Sequence, residues 1–222
     1  MDWTIFWILI HLLAMAFWLG ADMGVYYSAI HFVRPEYSPQ TRAVLGRVAQ
    51  GVDVFPRLAM VVILPSGMTL AARTGLSPVD GIWLALIWIF AVLWFFLVWN
   101  VHRPTAPEWG KRLGGLEMAI NWVLVVVILA AAIASFALAE PFAANWLALK
   151  VLLYGVTFAI LIFLNFSSKP RAPAFQRLLS EGSSPEIEAI IKGTLKRNLP
   201  FVYVLWGIVV INTTIGLFKP VF

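Results

Sequence analysis

The sequence predicts an all-α fold, a polytopic membrane bundle of six transmembrane helices with both termini on the periplasmic side. Three observations predict it. Of 222 residues, 61% are hydrophobic and only 12% charged, about half the charged share of an ordinary soluble domain. The apolar residues gather into six runs near the roughly 20 residues that a bilayer crossing needs. The cations collect in alternate loops, as expected where positive charge is kept on the cytoplasmic side.

The six spans are residues 3–32, 54–72, 82–101, 118–139, 143–166 and 200–218, within one membrane domain covering 1–222. The first is longer than a bilayer requires, so it should tilt or protrude. It lacks a basic leader and a small-residue cleavage site, and therefore reads as a retained span rather than a signal peptide. The second carries Arg57 and should kink at Pro65-Ser66-Gly67, where freed carbonyls need other donors. The fifth contains Lys150, and the last opens at Pro200. Two inner loops carry helix starts: Ser38-Pro39 and Ser184-Pro185-Glu186 each place a capping serine before a proline at the first helical position. After the second start, Ile187, Ile190, Ile191 and Leu195 fall at helical spacing while Lys192, Lys196 and Arg197 stay polar. This predicts an amphipathic helix over 185–197, lying on the inner leaflet or packed under its own bundle.

One side of the membrane receives Arg34, Arg42, Arg47, Arg103, Lys111, Arg112, Lys169, Arg171, Arg177, Lys192, Lys196 and Arg197. The other receives Arg73 and Lys219, with Asp2, Asp80 and Glu140 nearby. The first side is then cytoplasmic, in a bacterial inner membrane. The pI near 9.7 accordingly marks topology and not nucleic-acid binding. The absence of cysteine excludes disulfides, thiolate metal sites and iron–sulfur clusters. No phosphate loop, dinucleotide fingerprint, zinc-protease motif or nucleophile elbow is present.

Ionisable groups within spans are costly and mark function by default. Here they are His11, Asp22, Arg57 and Lys150. His11 lies roughly 12 Å along its helix from the outer end, and Lys150 has a comparable depth in the fifth span. Two costly groups at one level suggest a shared pocket in the outer half. A neutral imidazole ligates metals and haem iron, and an ammonium balances a propionate. The plainer alternative is a helix-to-helix hydrogen bond for His11 and an outward-reaching Lys150. Met15, one turn after His11, and Met68, at similar depth, add thioethers that suit copper(I) or a His/Met haem, though packing is the commoner use of methionine. His11, Met15, Trp18 and Asp22 share one helix face. Arg57 lies deep enough to pair with Asp22, which would lower the cost of burying both. His31 and His102 close the first and third spans with Arg34 and Arg103 just beyond, an arrangement that could hold haem between them. Trp18, Trp88, Trp94 and Trp206 lie deep enough to wall a flat aromatic ligand, while Trp3, Trp83, Trp99, Trp109 and Trp146 fit an interfacial belt.

Three segments carry a family resemblance. Ile10-His11-Leu12-Leu13 through Phe17-Trp18-Leu19-Gly20 resembles the first helix of the CopD-like membrane proteins, with its histidine followed by Trp-x-Gly. Phe55-Pro56-Arg57-Leu58 with Pro65-Ser66-Gly67 resembles their arginine-led span, and Leu147-Ala148-Leu149-Lys150-Val151 through Asn165 their lysine-bearing helix. The HemJ type of protoporphyrinogen oxidase is similar in layout. The resemblance covers about 60 residues and implies a helical bundle handling haem b or, alternatively, copper, with His11 as ligand and Lys150 and Arg57 as supporting charges. Three expectations follow. The first is an inner-membrane haem-b redox protein, acting on a porphyrinogen or linked to a quinone or respiratory-chain partner. The second is a copper transport or delivery protein using His11, Met15 and Met68. The third is an accessory subunit of a larger membrane complex. Membrane lipid, and further copies of the chain or other subunits, are the expected partners.

Overall fold

Lipid offers the backbone no hydrogen-bond partners, so each crossing must satisfy its amides internally. The computed structural model describes residues 3–221, and Asp2, counted above among the outer charges, lies outside them. Among the described residues all regular structure is helical: α1 spans Trp3–Phe32, α2 Pro39–Arg73, α3 Gly81–His102, α4 Glu108–Arg112, α5 Gly114–Leu138, α6 Asn145–Ser168, α7 Arg171–Glu181 and α8 Pro185–Phe218. Six segments, carried by α1, α2, α3, α5, α6 (running on into α7) and α8, are long and apolar enough to cross a membrane. The chain is a multi-pass membrane protein. Its surface agrees: Ile82, Leu93, Val126 and Ile133 are 69%, 66%, 65% and 62% exposed, a cost in water that lipid removes.

Each crossing packs on the next in sequence, and α8 returns to α1, which closes a six-membered ring α1–α2–α3–α5–α6–α8. The α1–α2 and α5–α6 contacts are extensive, whereas α3–α5 and α1–α8 touch lightly. Neighbours run antiparallel. Arg73 at the end of α2 reaches Thr4 at the start of α1, and Arg42 near the start of α2 donates to the Phe32 carbonyl at the end of α1. The bundle therefore has a basic end, where α1, α3 and α6 finish, and a sparse end, where they begin.

Two helices are longer than their predicted spans. α2 begins at Pro39 rather than at 54, because Ser38 caps it through the Thr41 amide and nothing before residue 54 breaks it. α8 fuses the 185–197 helix with the last crossing and passes through Pro200. α7 has no counterpart in the expected elements. Its buried stripe is only Ala174 and Leu178, too short to stand out as a period. Those two side chains pack with Phe32, Val33, Ile187 and Ile191 into a small core below the basic end. The amphipathic start of α8 is thus tucked under its own bundle, with Ile187 and Ile191 essentially inaccessible.

An ion pair fixes this small core to the crossings. Arg42, 1% exposed, donates through Nε to the Phe32 carbonyl at 2.7 Å and through its two terminal nitrogens to both Glu188 oxygens at 2.7 and 3.1 Å. Ser183 also donates to Glu188. Burial opposes the Glu188 charge, but these hydrogen bonds and the guanidinium outweigh it and hold the carboxyl below its usual range.

Midway along the ring an aromatic layer fills the interior. Trp94 and Phe158, each 1% exposed, stack at 5.9 Å, and Tyr154 meets Phe158 edge-on at 5.1 Å. The Tyr154 hydroxyl donates to the Met60 carbonyl at 2.7 Å, within the stretch of α2 between Pro56 and Pro65.

Candidate functional site

Two cavities lie on either side of this aromatic layer. The larger, about 890 Å³, occupies the sparse half and is bordered by all six crossings. Its lining is mainly aliphatic and aromatic, including Trp18, Trp83, Phe90 and Trp146. This volume falls in the upper part of the range of about 300–1,000 Å³ found for small-molecule and cofactor sites.

His11 of α1 and Lys150 of α6 both border it, as do Met15, Met68, Asn212 and Thr213. Glycine admits each of the two cationic-type side chains. A Cβ on Gly67 would stand 3.1 Å from His11 Cε1, and one on Gly216 would collide with Lys150 Nζ. The imidazole tautomer follows from its neighbour. Ser66 Oγ donates its single proton into the α2 backbone, to Val62 O at 2.7 Å and more weakly to Ile63 O at 3.2 Å. It must therefore accept at the 2.9 Å contact with His11 Nδ1. His11 then carries its proton on Nδ1, its ring also meets the Ile63 backbone, and no hydrogen bond to Nε2 is seen among the described residues. A histidine oriented this way by a hydrogen bond from its second nitrogen is the usual form of a metal-ligating imidazole. Lys150 Nζ likewise has no acceptor among the described residues, and the buried Asn212 Oδ1 is unpartnered.

Met15 Sδ lies against the Thr213 hydroxyl, whose single proton goes to Val209 O at 2.8 Å, so the thioether is not tied up by a hydrogen bond. Met68 is a lining residue only. Among the described residues no group of three or more histidine, aspartate or glutamate side chains is placed to hold a metal ion.

The smaller cavity, about 40 Å³, lies in the basic half and is polar. Asp22, Asp53, Arg57, Glu117, Asn121 and Asn165 border it, with Trp18 shared between the two cavities. Asp22 and Arg57 do share this cavity and act on each other electrostatically, but the expected direct ion pair between them does not form. Arg57 Nε binds Asp53, one turn earlier on α2, at 2.7 Å, while Asp22 accepts from Trp206 Nε1 at 2.6 Å. The local i, i+4 partner is already in reach, so Arg57 need not cross to α1. Arg57 consequently stands apart from His11 and Lys150. No family model, curated protein or solved structure matches this chain. Assignment of a function therefore rests on these two cavities.

His31 and His102 are not brought together around a common space. His31 Nδ1 lies 3.3 Å from the Tyr37 hydroxyl and its ring packs on Tyr27. His102 Nε2 lies 2.7 Å from Glu117 Oε2 on α5. Neither borders either cavity. Of the deep tryptophans, Trp18 lines both cavities, Trp88 donates to Thr69 at 3.0 Å, and Trp94 belongs to the aromatic layer. Asp53 and Glu117 were missed from sequence because the predicted spans 54–72 and 118–139 begin just after them. Asp53 had a readable signal in its spacing to Arg57, and Glu117 had none.

Proposed function

We propose that the chain is a haem-b-binding redox protein of the bacterial inner membrane, with the macrocycle in the large cavity. The observation that carries this reading is the free Nε2 lone pair of His11, fixed by Ser66, at an apolar cavity of about 890 Å³ that also receives an unpaired lysine ammonium. His11 would ligate the iron, Lys150 would balance a propionate, and Trp18, Phe90 and the aliphatic walls would exclude water. Haem supplies one-electron chemistry when bound, and the protein tunes it through ligand, burial and charge. Met68 also borders the cavity and would offer a thioether there.

Size favours haem over copper. A bare ion needs donors converging at bond length, close to 2 Å for imidazole, whereas this cavity is far larger. The charge asymmetry supports a cytoplasmic basic end, so both termini face the periplasm and the haem would sit in the outer leaflet. A porphyrinogen or a quinone entering from lipid fits as electron donor or acceptor, and a respiratory-chain protein or further copies of the chain fit as partners.

The test is the optical spectrum of detergent-purified protein with haem b supplied. A Soret band with one haem per chain is expected, lost in His11→Ala and retained in Met15→Leu. A colourless protein carrying one copper per chain would refute haem in favour of copper delivery. Protein that takes up neither, and co-purifies with a larger assembly, would leave the accessory-subunit role.

A further inference from the structure

The polar chamber in the basic half has no part in ligand binding at the large cavity, and its composition poses a charge problem. Its groups come from several directions. Asp22 projects from α1, Asp53 and Arg57 from α2, Glu117 and Asn121 from α5, and Asn165 from α6. Trp206 of α8 donates to Asp22, and Tyr26, packed on Trp206, bonds Tyr203 of α8. Arg171, at the start of α7, is within electrostatic reach of Asp53.

The charges can be matched one by one. Arg57 neutralises Asp53. Glu117, 7% exposed, faces His102 at 2.7 Å, and one proton between them makes that pair neutral whichever partner holds it. Asp22 is left over. Its one hydrogen bond among the described residues comes from a neutral indole N–H, which stabilises but does not cancel a charge. An unmatched carboxylate inside a membrane protein is costly and neutralises by taking a proton.

A second observation is independent of the carboxylates. Asn121 borders the chamber, and its side-chain oxygen is fully buried with no hydrogen-bond partner. Orphaned buried acceptors of this kind are ordinarily met by water. A chamber of about 40 Å³ has room for roughly two or three waters, and it is lined with the several polar partners that water needs.

We propose that this chamber is a proton-exchange site in which Asp22 is the acceptor and the Glu117–His102 pair is the port to the basic end. The His102 side chain is 20% exposed and Glu117 9%, so the pair leads from the partly open side inward. A proton from water at the basic end protonates the pair. Chamber water carries it to Asp22, which becomes a neutral carboxylic acid, and the reverse path returns it. No electron moves, and no other reactant is needed. Trp18 separates the chamber from the large cavity, so the site exchanges protons with one side only, independently of what the large cavity binds.

Infrared spectroscopy of the full chain in liposomes tests this. The expected result is a protonated-carboxyl carbonyl band that shifts in D₂O, disappears as pH is raised, and is absent from Asp22→Asn. In Glu117→Gln the band should persist but exchange more slowly, by on the order of a hundredfold, the low end for a positioned proton carrier. An Asp22→Asn spectrum identical to the parent at every pH would overturn the proposal. So would a band that follows sodium concentration at fixed pH, which would mark a cation site. If Asp22→Asn does not fold, Trp206→Phe decides: it removes only the indole donor, the band must then move, and an unmoved band overturns the assignment.

Discussion

Arg42 offers the sharpest test of what holds the basic end together. Its guanidinium is 1% exposed and makes three hydrogen bonds, one to the α1 terminal carbonyl of Phe32 and two to Glu188. Arg42→Met keeps much of the side-chain volume and removes all three. It strands the Glu188 carboxylate and leaves the Phe32 carbonyl, one of the last four that a helix cannot satisfy itself, without its donor. Removing one member of a buried ion pair costs about 3–5 kcal/mol. Glu188 is 14% exposed, which places the cost toward the lower figure. The damage should be local. Amide exchange across α7 and the first turns of α8 should accelerate by on the order of a hundredfold or more, since each 1.4 kcal/mol is about a factor of ten. Exchange in α5 should be unchanged. The double variant Arg42→Met with Glu188→Leu leaves no stranded charge and should recover at least half of the lost protection. The pH dependence has a definite sign. Because the Glu188 carboxyl is held below its usual range, its contribution is complete above the ordinary carboxylate range and disappears as pH falls through the lowered value. Protection lost equally at neutral pH and in acid, or a double variant as damaged as the sum of the singles, would refute the ion-pair account.

Three glycines give further tests. In Gly67→Ala the new Cβ lies 3.1 Å from His11 Cε1. The helix should gain up to about 1 kcal/mol from propensity while haem affinity falls, so thermal stability and haem titration should move in opposite directions. Gly216→Ala should displace Lys150 and weaken haem binding by roughly tenfold, the worth of one charge-assisted hydrogen bond, without moving the Soret maximum. Gly155→Ala would set a Cβ 2.6 Å from Leu129 Cδ2 and 3.2 Å from Ile128 Cγ2. That overpacks the close α5–α6 contact and should cost about 1–3 kcal/mol, measured as a lower unfolding temperature with unaltered haem stoichiometry.

The number and type of the crossings were legible because a long apolar run is a strong, local signal. The shared depth of His11 and Lys150 was legible for the same reason: a rise per residue converts sequence position into depth. Partner choice was not. Depth alone placed Arg57 beside Asp22, but rotation about each helix decides contacts, and Arg57 found Asp53 on its own helix while Asp22 found an indole from the far end of the chain. The same holds for His31 and His102, level along their helices yet turned to Tyr37 and Glu117. Helix ends were blurred where a capped amphipathic stretch ran straight into an apolar one, as at Pro39 and Pro185. Hydropathy drops there although nothing in the backbone stops.

The aromatic layer explains why two such different cavities can share one bundle. A hydrated polar chamber, as proposed here, joined to an opening on the other face would be a proton leak, since water files conduct wherever they are continuous. Trp18, 4% exposed and bordering both cavities, is the barrier, and Trp94 and Phe158 back it from α3 and α6. The layer is tight enough to leave Trp94 Nε1 buried without a partner, a loss of about 1–3 kcal/mol that folds normally avoid. A phenylalanine would avoid that loss but presents a smaller surface. Tolerating an unpaired indole is consistent with a position where area, and the exclusion of water between the halves, outweighs one hydrogen bond.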